Sequence, residues 1–262
     1  MIFQIKKIIG GKYTNEEIAI KNAIARNKYW YHQIELSPNI VTPGINNSKI
    51  FLKHLDLPSS CKGLRVLDIG TADGFFAFEV EKRGGDVIAV DYRSIRKNPG
   101  FKIASRILKS KVKYVTDNIY NISPRRYGMF DIVLFLGTLY HLPDPFLALE
   151  TVKRVCKNLL YLETQTIDNA FLTLNKKFVS LSSLSKELVK TPIMQFYPKD
   201  TLNNDPTNFW APNMACIEAM LFELDFKILK KKLLGSRSIF KCKVENKNKE
   251  NYYLKIARGT VS

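Results

Sequence analysis

The chain has 262 residues, 45% of them hydrophobic and 25% charged, which is enough for one large α/β domain with a sizeable core. Lys plus Arg number 41 against 24 Asp plus Glu, a formal net charge of +17; this attracts polyanions through counterion release, but a Lys-, Asn- and Ile-rich composition also produces it. No apolar run reaches the roughly 18 residues of a membrane span, and the four cysteines, Cys61, Cys156, Cys216 and Cys242, are too far apart for a disulfide framework or a metal site.

The N-terminal MIFQIKKIIGGKY is too short and too interrupted for a signal peptide, so the expected location is the cytoplasm. Residues 1–60 read as a helical lead-in. TNEEIAIKNAIARNKYWYHQIEL opens with acids after Thr14 and keeps apolar residues at helical spacing. NIVTPGINN is a loop, and KIFLKHLDL a helix stopping at Pro58.

From Arg65 strands and helices alternate. RVLDIG is a strand, 74–83 a helix, DVIAVDY a strand, 99–110 a helix and KVKYVTDN a strand. FDIVLFLGTLYH is the most continuously apolar strand, PFLALETVKRVC a helix and NLLYLETQT a fifth strand. Such alternation implies a parallel sheet with helices on both faces. Residues 168–208 have no clear period and read as an insertion over the ligand crevice. PNMACIEAMLFELDF is a helix after Pro212. FKILKKKLL and RSIFKCKV, joined at Gly235–Ser236, are a hairpin that ends the sheet with an antiparallel strand. ENKNKENYY reads as a charged surface segment. One domain, 61–262, therefore follows the lead-in.

The stretch VLDIGTADGFF joins the first strand to its helix at the carboxyl edge of the sheet, where open α/β folds bind ligands. Gly70 allows a sharp turn and close approach, and free N–H groups of the new helix can hold an anionic group. Asp91 closes the second strand 21 residues after Gly70, the spacing at which an acid grips a ribose diol. A dinucleotide fingerprint wants glycine where Ala72 and Phe75 stand. A cofactor with ribose and adenine but no phosphate does not need them, and S-adenosylmethionine fits that description. Asp117, Asn118 and Ile119 after the third strand are placed for adenine, Gly137 and Thr138 after the fourth for the methionine moiety, and Tyr140 and His141 for the reacting methyl.

In their order, DIGTADG, VDYRS, TDNIY and FDIVLFLGTLYHLPDP resemble the motifs of class I S-adenosylmethionine-dependent methyltransferases over about 65–165. The resemblance implies a Rossmann-like fold with a mostly parallel seven-stranded sheet. It also implies cofactor contacts from Asp68, Gly70, Thr71, Ala72, Gly74, Asp91, Tyr92, Asp117, Asn118, Ile119, Gly137 and Thr138. YWYHQIELSPNIVTPG, GTLYHLPDPFLAL, LYLETQTID and FWAPNMACIEAMLFELDF resemble, more narrowly, the tRNA wobble-uridine 5-oxyacetate methyltransferase-like family. That family's RNA-modifying members hold a carboxylated cofactor through a lysine, a tyrosine and a late arginine. Tyr140 matches the tyrosine, the lysine has no counterpart here, and the late basic stretch is replaced by a hairpin whose only arginine is Arg237. The departures imply plain methyl transfer to an oxygen or nitrogen of a small or sugar-like molecule. The alternatives are a tRNA-modifying (carboxy)methyltransferase and a binding protein that keeps the fold.

Methyl transfer needs nucleophile and methyl held at near-attack distance in a dry pocket, with a base only where the nucleophile must lose a proton. His141 is the candidate base, unless its ring merely bonds a loop carbonyl, and Tyr140 the candidate for orienting the substrate. Trp30 and His32 form part of a lid or pack on the core. Trp210, Asn213 and Glu163 are expected at the substrate mouth, and His54 on the surface of its helix. Oligomeric state is not legible.

Overall fold

The computed structural model describes residues 14–245, so most of ENKNKENYY lies outside the described residues. The seven strands of the central sheet are β1 (Arg65–Ile69), β2 (Asp86–Asp91), β3 (Lys113–Thr116), β4 (Phe130–Leu136), β5 (Cys156–Gln165), β6 (Phe226–Leu234) and β7 (Arg237–Val244). Their spatial order is β6-β7-β5-β4-β1-β2-β3. β1 to β5 run parallel, and β7 pairs antiparallel with both β5 and β6. The chain works outward from β1 to β3, then returns to β4 on the other side of β1. The crevice this reversal opens lies beyond the carboxyl ends of β1 and β4, between Gly70 and Gly137.

Strand alternation divides the core in two. Val66, Leu134, Tyr161 and Ile239 face helices α1 (Asn15–Arg26), α2 (Ser48–Leu55), α3 (Phe75–Glu81) and α4 (Pro99–Ile107). Their neighbours Leu67, Val133, Leu160 and Phe240 face α5 (Pro145–Val155) and α6 (Met214–Glu223). The edge strand β6 turns Lys227, Lys230, Lys231 and Lys232 to solvent, which guards an open edge against pairing with another chain.

The lead-in departs from the expected long helix. Thr14 and Glu17 close a capping box at the start of α1, but the helix stops at Arg26, with Asn27 extended (φ −92°, ψ 114°). The aromatic run beyond it is not helical because its donors go elsewhere. Tyr31 and His32 N–H donate to Asp73 Oδ2 at 2.6 and 2.9 Å, and the Trp30 indole N–H returns to Ile24 C=O at 3.2 Å. A short antiparallel pair, Glu35–Ser37 with Ile40–Val41, follows. β4 ends at Leu136, five residues short of the expected strand, because Gly137 takes a left-handed turn (φ +68°) into a helical turn at Leu139–His141.

The segment after β5 carries elements too short to show a period. Phe171–Leu172 pairs with Phe178–Val179, and Met194–Phe196 with Trp210–Pro212. Ile167, Leu181, Tyr197, Leu202 and Ala211 form a small core of their own beneath them. Asn213, expected at the substrate mouth, is instead a joint of this segment. Fully buried, it accepts the N–H groups of Cys216 (2.8 Å) and Ile193 (3.2 Å) and donates to Leu188 C=O (3.0 Å) and Thr191 C=O (2.8 Å). Both amide protons and both carbonyl lone pairs are spent, leaving nothing for a substrate.

Asn213→Ala removes the α6 N-cap and takes the partner from three further main-chain groups, at Leu188, Thr191 and Ile193, so urea unfolding is expected to show a loss of about 1–3 kcal/mol. A loss below about 0.5 kcal/mol would contradict this assignment.

Candidate active site

The loop from Gly70 to Gly74 is built by its neighbours. Gly70 and Thr71 N–H donate to Val90 C=O at 2.8 and 3.2 Å, and Gly74 N–H to Thr71 C=O at 2.8 Å. Ala72, left-handed at φ +47°, donates its N–H to Asp91 Oδ2 at 3.0 Å, while its carbonyl accepts from Asn98 Nδ2 at 2.6 Å. A non-glycine residue in this region costs free energy and persists where its surroundings over-determine it. Gly70 is also left-handed (φ +76°), and a Cβ there would lie 2.1 Å from Thr138 Oγ1. The two sides of the crevice thus touch.

N–H groups 70, 71, 72 and 74 are spent within the protein. Two buried polar atoms behind the loop, Asp68 Oδ2 and Thr71 Oγ1, have no hydrogen-bond partner of good geometry. Burial pushes the Asp68 carboxyl up to about 7, against the nearby Thr71 hydroxyl and Ala77 N–H, which hold it down, and with a smaller push from the Asp91 charge.

Asp91 is buried, and four donors meet its carboxylate. Oδ1 takes Arg93 N–H at 2.9 Å and Arg93 Nε at 3.1 Å; Oδ2 takes Ala72 N–H and Arg93 Nη2, the latter at 3.1 Å. Tyr92 beside it is 76% exposed. Asp117, placed for adenine in the sequence, is likewise filled. It accepts from Asn118 N–H (2.8 Å), Asn121 Nδ2 (2.9 Å) and the Tyr127 hydroxyl (2.5 Å), and pairs with Arg126 at 3.0 Å. Burial alone would raise its carboxyl, but the Tyr127 and Asn121 bonds hold it below the usual range. Asn118 caps the turn Ile119–Asn121 through Tyr120 N–H at 3.1 Å, and Ile119 is buried in the second core cluster. In this structure the groups of Asp117 and Ile119 are committed to the fold of that loop.

Across the crevice, Gly137 N–H donates to Glu163 C=O at 2.9 Å. The Glu163 carboxylate is held by Arg237 through Nε and Nη2, the second at 2.7 Å. The Arg237 guanidinium lies 4.6 Å from the centre of the Tyr140 ring. Glu163 therefore enters the site as half of a buried pair and not as a free acceptor. Arg237, from the closing hairpin, stands beside Tyr140, a juxtaposition 97 residues of separation conceal. Burial pushes the Tyr140 hydroxyl up to about 12, which keeps it a neutral donor. His141 is half-buried with its ring centre 4.1 Å from that of Tyr140. Burial lowers its pKa, and Arg237 lowers it further, against the Thr207 carbonyl and the Asp205 charge that raise it.

Trp30 and His32 pack on the core. Trp30 is a core ring with its N–H satisfied. His32 packs on Tyr31, Phe75 and Phe76, with ring centres 4.8, 6.0 and 5.9 Å away. Its buried Nδ1 has no partner. Trp210 donates its indole N–H to Pro143 C=O at 3.0 Å, and its ring centre lies 4.8 Å from that of Phe196, the planes tilted by 58°. Four residues the sequence did not single out belong here: Asp73, Asn98, Asp205 and Thr207. Asp73 is the second acid of DIGTADG, and its place in that motif was the available signal.

A family model described as a methyltransferase domain matches residues 37–207. The ubiquinone biosynthesis O-methyltransferase of Acinetobacter baylyi is 26% identical over 147 residues, 55% of this chain and 57% of that protein. The tRNA U34 carboxymethyltransferase of Campylobacter hominis is 31% identical over 110 residues, 41% of this chain and 38% of that protein. The chain spans about half the length of the curated relatives it matches. Among solved structures, the N-terminal domain of EvdMO1, crystallised in the presence of SAH and D-fucose, is similar with a TM-score of 0.57 at 15% identity, covering 90% of this chain and 99% of that one. An S-adenosylmethionine-dependent methyltransferase from Mesorhizobium loti gives 0.54 at 14% identity, with 75% and 97% covered. These structural likenesses show a shared fold.

Burial, then the Arg93 charge, depresses His32 to about 3. Between about pH 6.5 and that value the unfolded chain carries a proton on His32 that the folded chain refuses, so each unit of acidification costs about 1.4 kcal/mol. Urea unfolding of His32→Phe and wild type at pH 7 and pH 4.5 is expected to show the variant gaining relative stability at the lower pH. An identical difference at both pH values would contradict a buried, neutral His32.

Proposed function

The chain belongs to the methyltransferase domain family, and from that premise we propose that it is an S-adenosylmethionine-dependent methyltransferase acting on an oxygen or nitrogen nucleophile of a small or sugar-like molecule. The observation that carries the reading is Asp91, an acid fixed under the Gly70–Gly74 loop at the point where strand order reverses. The cofactor supplies an electrophilic methyl on a sulfonium.

The chain's residues fit that group. Four N–H groups of the loop are taken up within the protein, which a cofactor without phosphate tolerates, and two buried oxygens with no hydrogen-bond partner of good geometry, Asp68 Oδ2 and Thr71 Oγ1, sit behind it. Two of the four donors on Asp91 are main-chain N–H groups that orient the carboxylate. The other two belong to the Arg93 side chain and are open to exchange with ribose hydroxyls. On the β4 side, Thr138 adjoins Gly70, and Tyr140 and His141 complete the mouth: Tyr140 as a donor, His141 as the acceptor of a proton. Four free thiols, three of them buried, fit a reducing compartment such as the cytoplasm. No helix among the described residues is long and apolar enough to cross a membrane.

A tRNA-modifying reading draws on the net charge of +17 and on the placing of Arg237 beside Tyr140. Against it, Glu163 fills the Arg237 fork, and the neutral pair offers no spare cation to an extra carboxylate.

Calorimetry with S-adenosylhomocysteine is expected to show binding weakened about 10- to 100-fold in Asp91→Ala, from lost charge-assisted hydrogen bonds. Unchanged affinity in a folded variant would overturn the cofactor placement. For the acceptor, labelled methyl transfer to hydroxylated aromatic and sugar probes supports the small-molecule reading, while transfer to unmodified tRNA alone would replace it.

A further inference from the structure

Thr207 and Asp205 come from the segment after β5 and meet His141 across 66 residues of sequence. His141 Nδ1 lies 3.1 Å from Thr207 C=O and 2.9 Å from Thr207 Oγ1. A carbonyl can only accept, so the proton of this bond belongs to Nδ1. The threonine hydroxyl agrees: its single proton points to Asp205 Oδ1 at 2.6 Å, leaving a lone pair toward the ring. Asp205 Oδ1 also accepts Thr207 N–H at 2.9 Å. That is an Asx turn with Pro206 at its centre, where a fixed φ stiffens the arrangement. Two further bonds lock the segment in place: Phe209 N–H donates to Tyr140 C=O at 2.9 Å, and Asn208 Nδ2 to Leu202 C=O at 3.0 Å.

We propose that Asp205 and Thr207 are positioning residues for His141, fixing the neutral ring in the tautomer that carries its proton on Nδ1 and keeps the Nε2 lone pair for the methyl acceptor. The inference rests on the reading of His141 as the base. In the step, the acceptor's O–H or N–H proton passes to Nε2 as its electron pair bonds the methyl, and the S–CH3 pair stays on sulfur. The ring becomes imidazolium, its Nδ1–H still bonded to Thr207 and its charge facing Asp205. The charged and titratable groups near the ring are Asp205, Arg237, Glu163 and Tyr140. Arg237 is itself neutralised by Glu163, so Asp205 is the one carboxylate whose charge the imidazolium can use. The logic is that of any base oriented through its second nitrogen.

The full chain holds three histidines, so its ring nitrogens can be resolved by 15N NMR, with His141→Ala assigning the signals. Wild-type His141 is expected in the Nδ1–H tautomer. Asp205→Asn keeps an acceptor for the Thr207 hydroxyl and is expected to keep the tautomer while lowering the titration midpoint by about 0.5–1 pH unit. Asp205→Ala frees the hydroxyl to donate to the ring and is expected to mix the tautomers. A role confined to local structure would move thermal stability and neither of these signals. An Nε2–H tautomer in the wild type, or midpoints and tautomers unchanged in both variants, would overturn the inference. Full turnover in His141→Ala, once an acceptor is in hand, would instead overturn the base reading beneath it and leave the tautomer assignment standing.

Discussion

The grip of the Asp91 carboxylate on Ala72 N–H, 3.0 Å long, is the contact on which the site depends. It fixes a left-handed, non-glycine residue in the turn between β1 and α3, and so sets where the loop faces the crevice. The same carboxylate ends β2, whose Val90 carbonyl takes the N–H groups of Gly70 and Thr71. One strand end therefore shapes the neighbouring loop through three main-chain and side-chain bonds. Those bonds take up the N–H groups of Gly70, Thr71 and Ala72, and the crevice presents an acid with a buried polar floor behind it.

The opposite wall works by neutralisation. Burying Arg237 and Glu163 separately would cost several kcal/mol each; joined through two bonds, they leave Tyr140 beside a dipole of no net charge. Tyr140 stays protonated there, and His141 is turned toward Thr207. The lead-in contributes from below. Asp73 ties Tyr31 and His32 to the cofactor loop, and Gly44 allows the chain to pass within contact of the His32 backbone, where a Cβ would sit 2.1 Å from His32 C. The lead-in and the loop are consequently one packed unit at this point.

What the sequence disclosed and what it hid follow from the range of the interactions. Val66–Ile69, Val87–Val90 and Ile132–Leu136 read as strands because β-branched and apolar runs end at acids and glycines, and these are local signals. Asp91 was legible by its spacing from Gly70. Asn213 was misread because its motif names a neighbourhood and not a bonding state: an asparagine with four partners looks, in sequence, like one with none. The end of the lead-in helix was misread: it was expected to run through Trp30, whereas Asp73, more than 40 residues on, draws the donors of the next two residues out of helical geometry. Arg237, Asp205 and Thr207 could not be placed at all, since only the closed sheet and the short pairs of the 168–212 segment bring them to Tyr140 and His141.

The most direct measurement is a crystal structure of this chain grown with S-adenosylhomocysteine. The account predicts both ribose hydroxyls within hydrogen-bond distance of Asp91, with the Arg93 guanidinium withdrawn from that carboxylate and Ala72 N–H still bound to it. A ligand lodged elsewhere, or a ribose turned away while Arg93 keeps both of its side-chain bonds to Asp91, would contradict it.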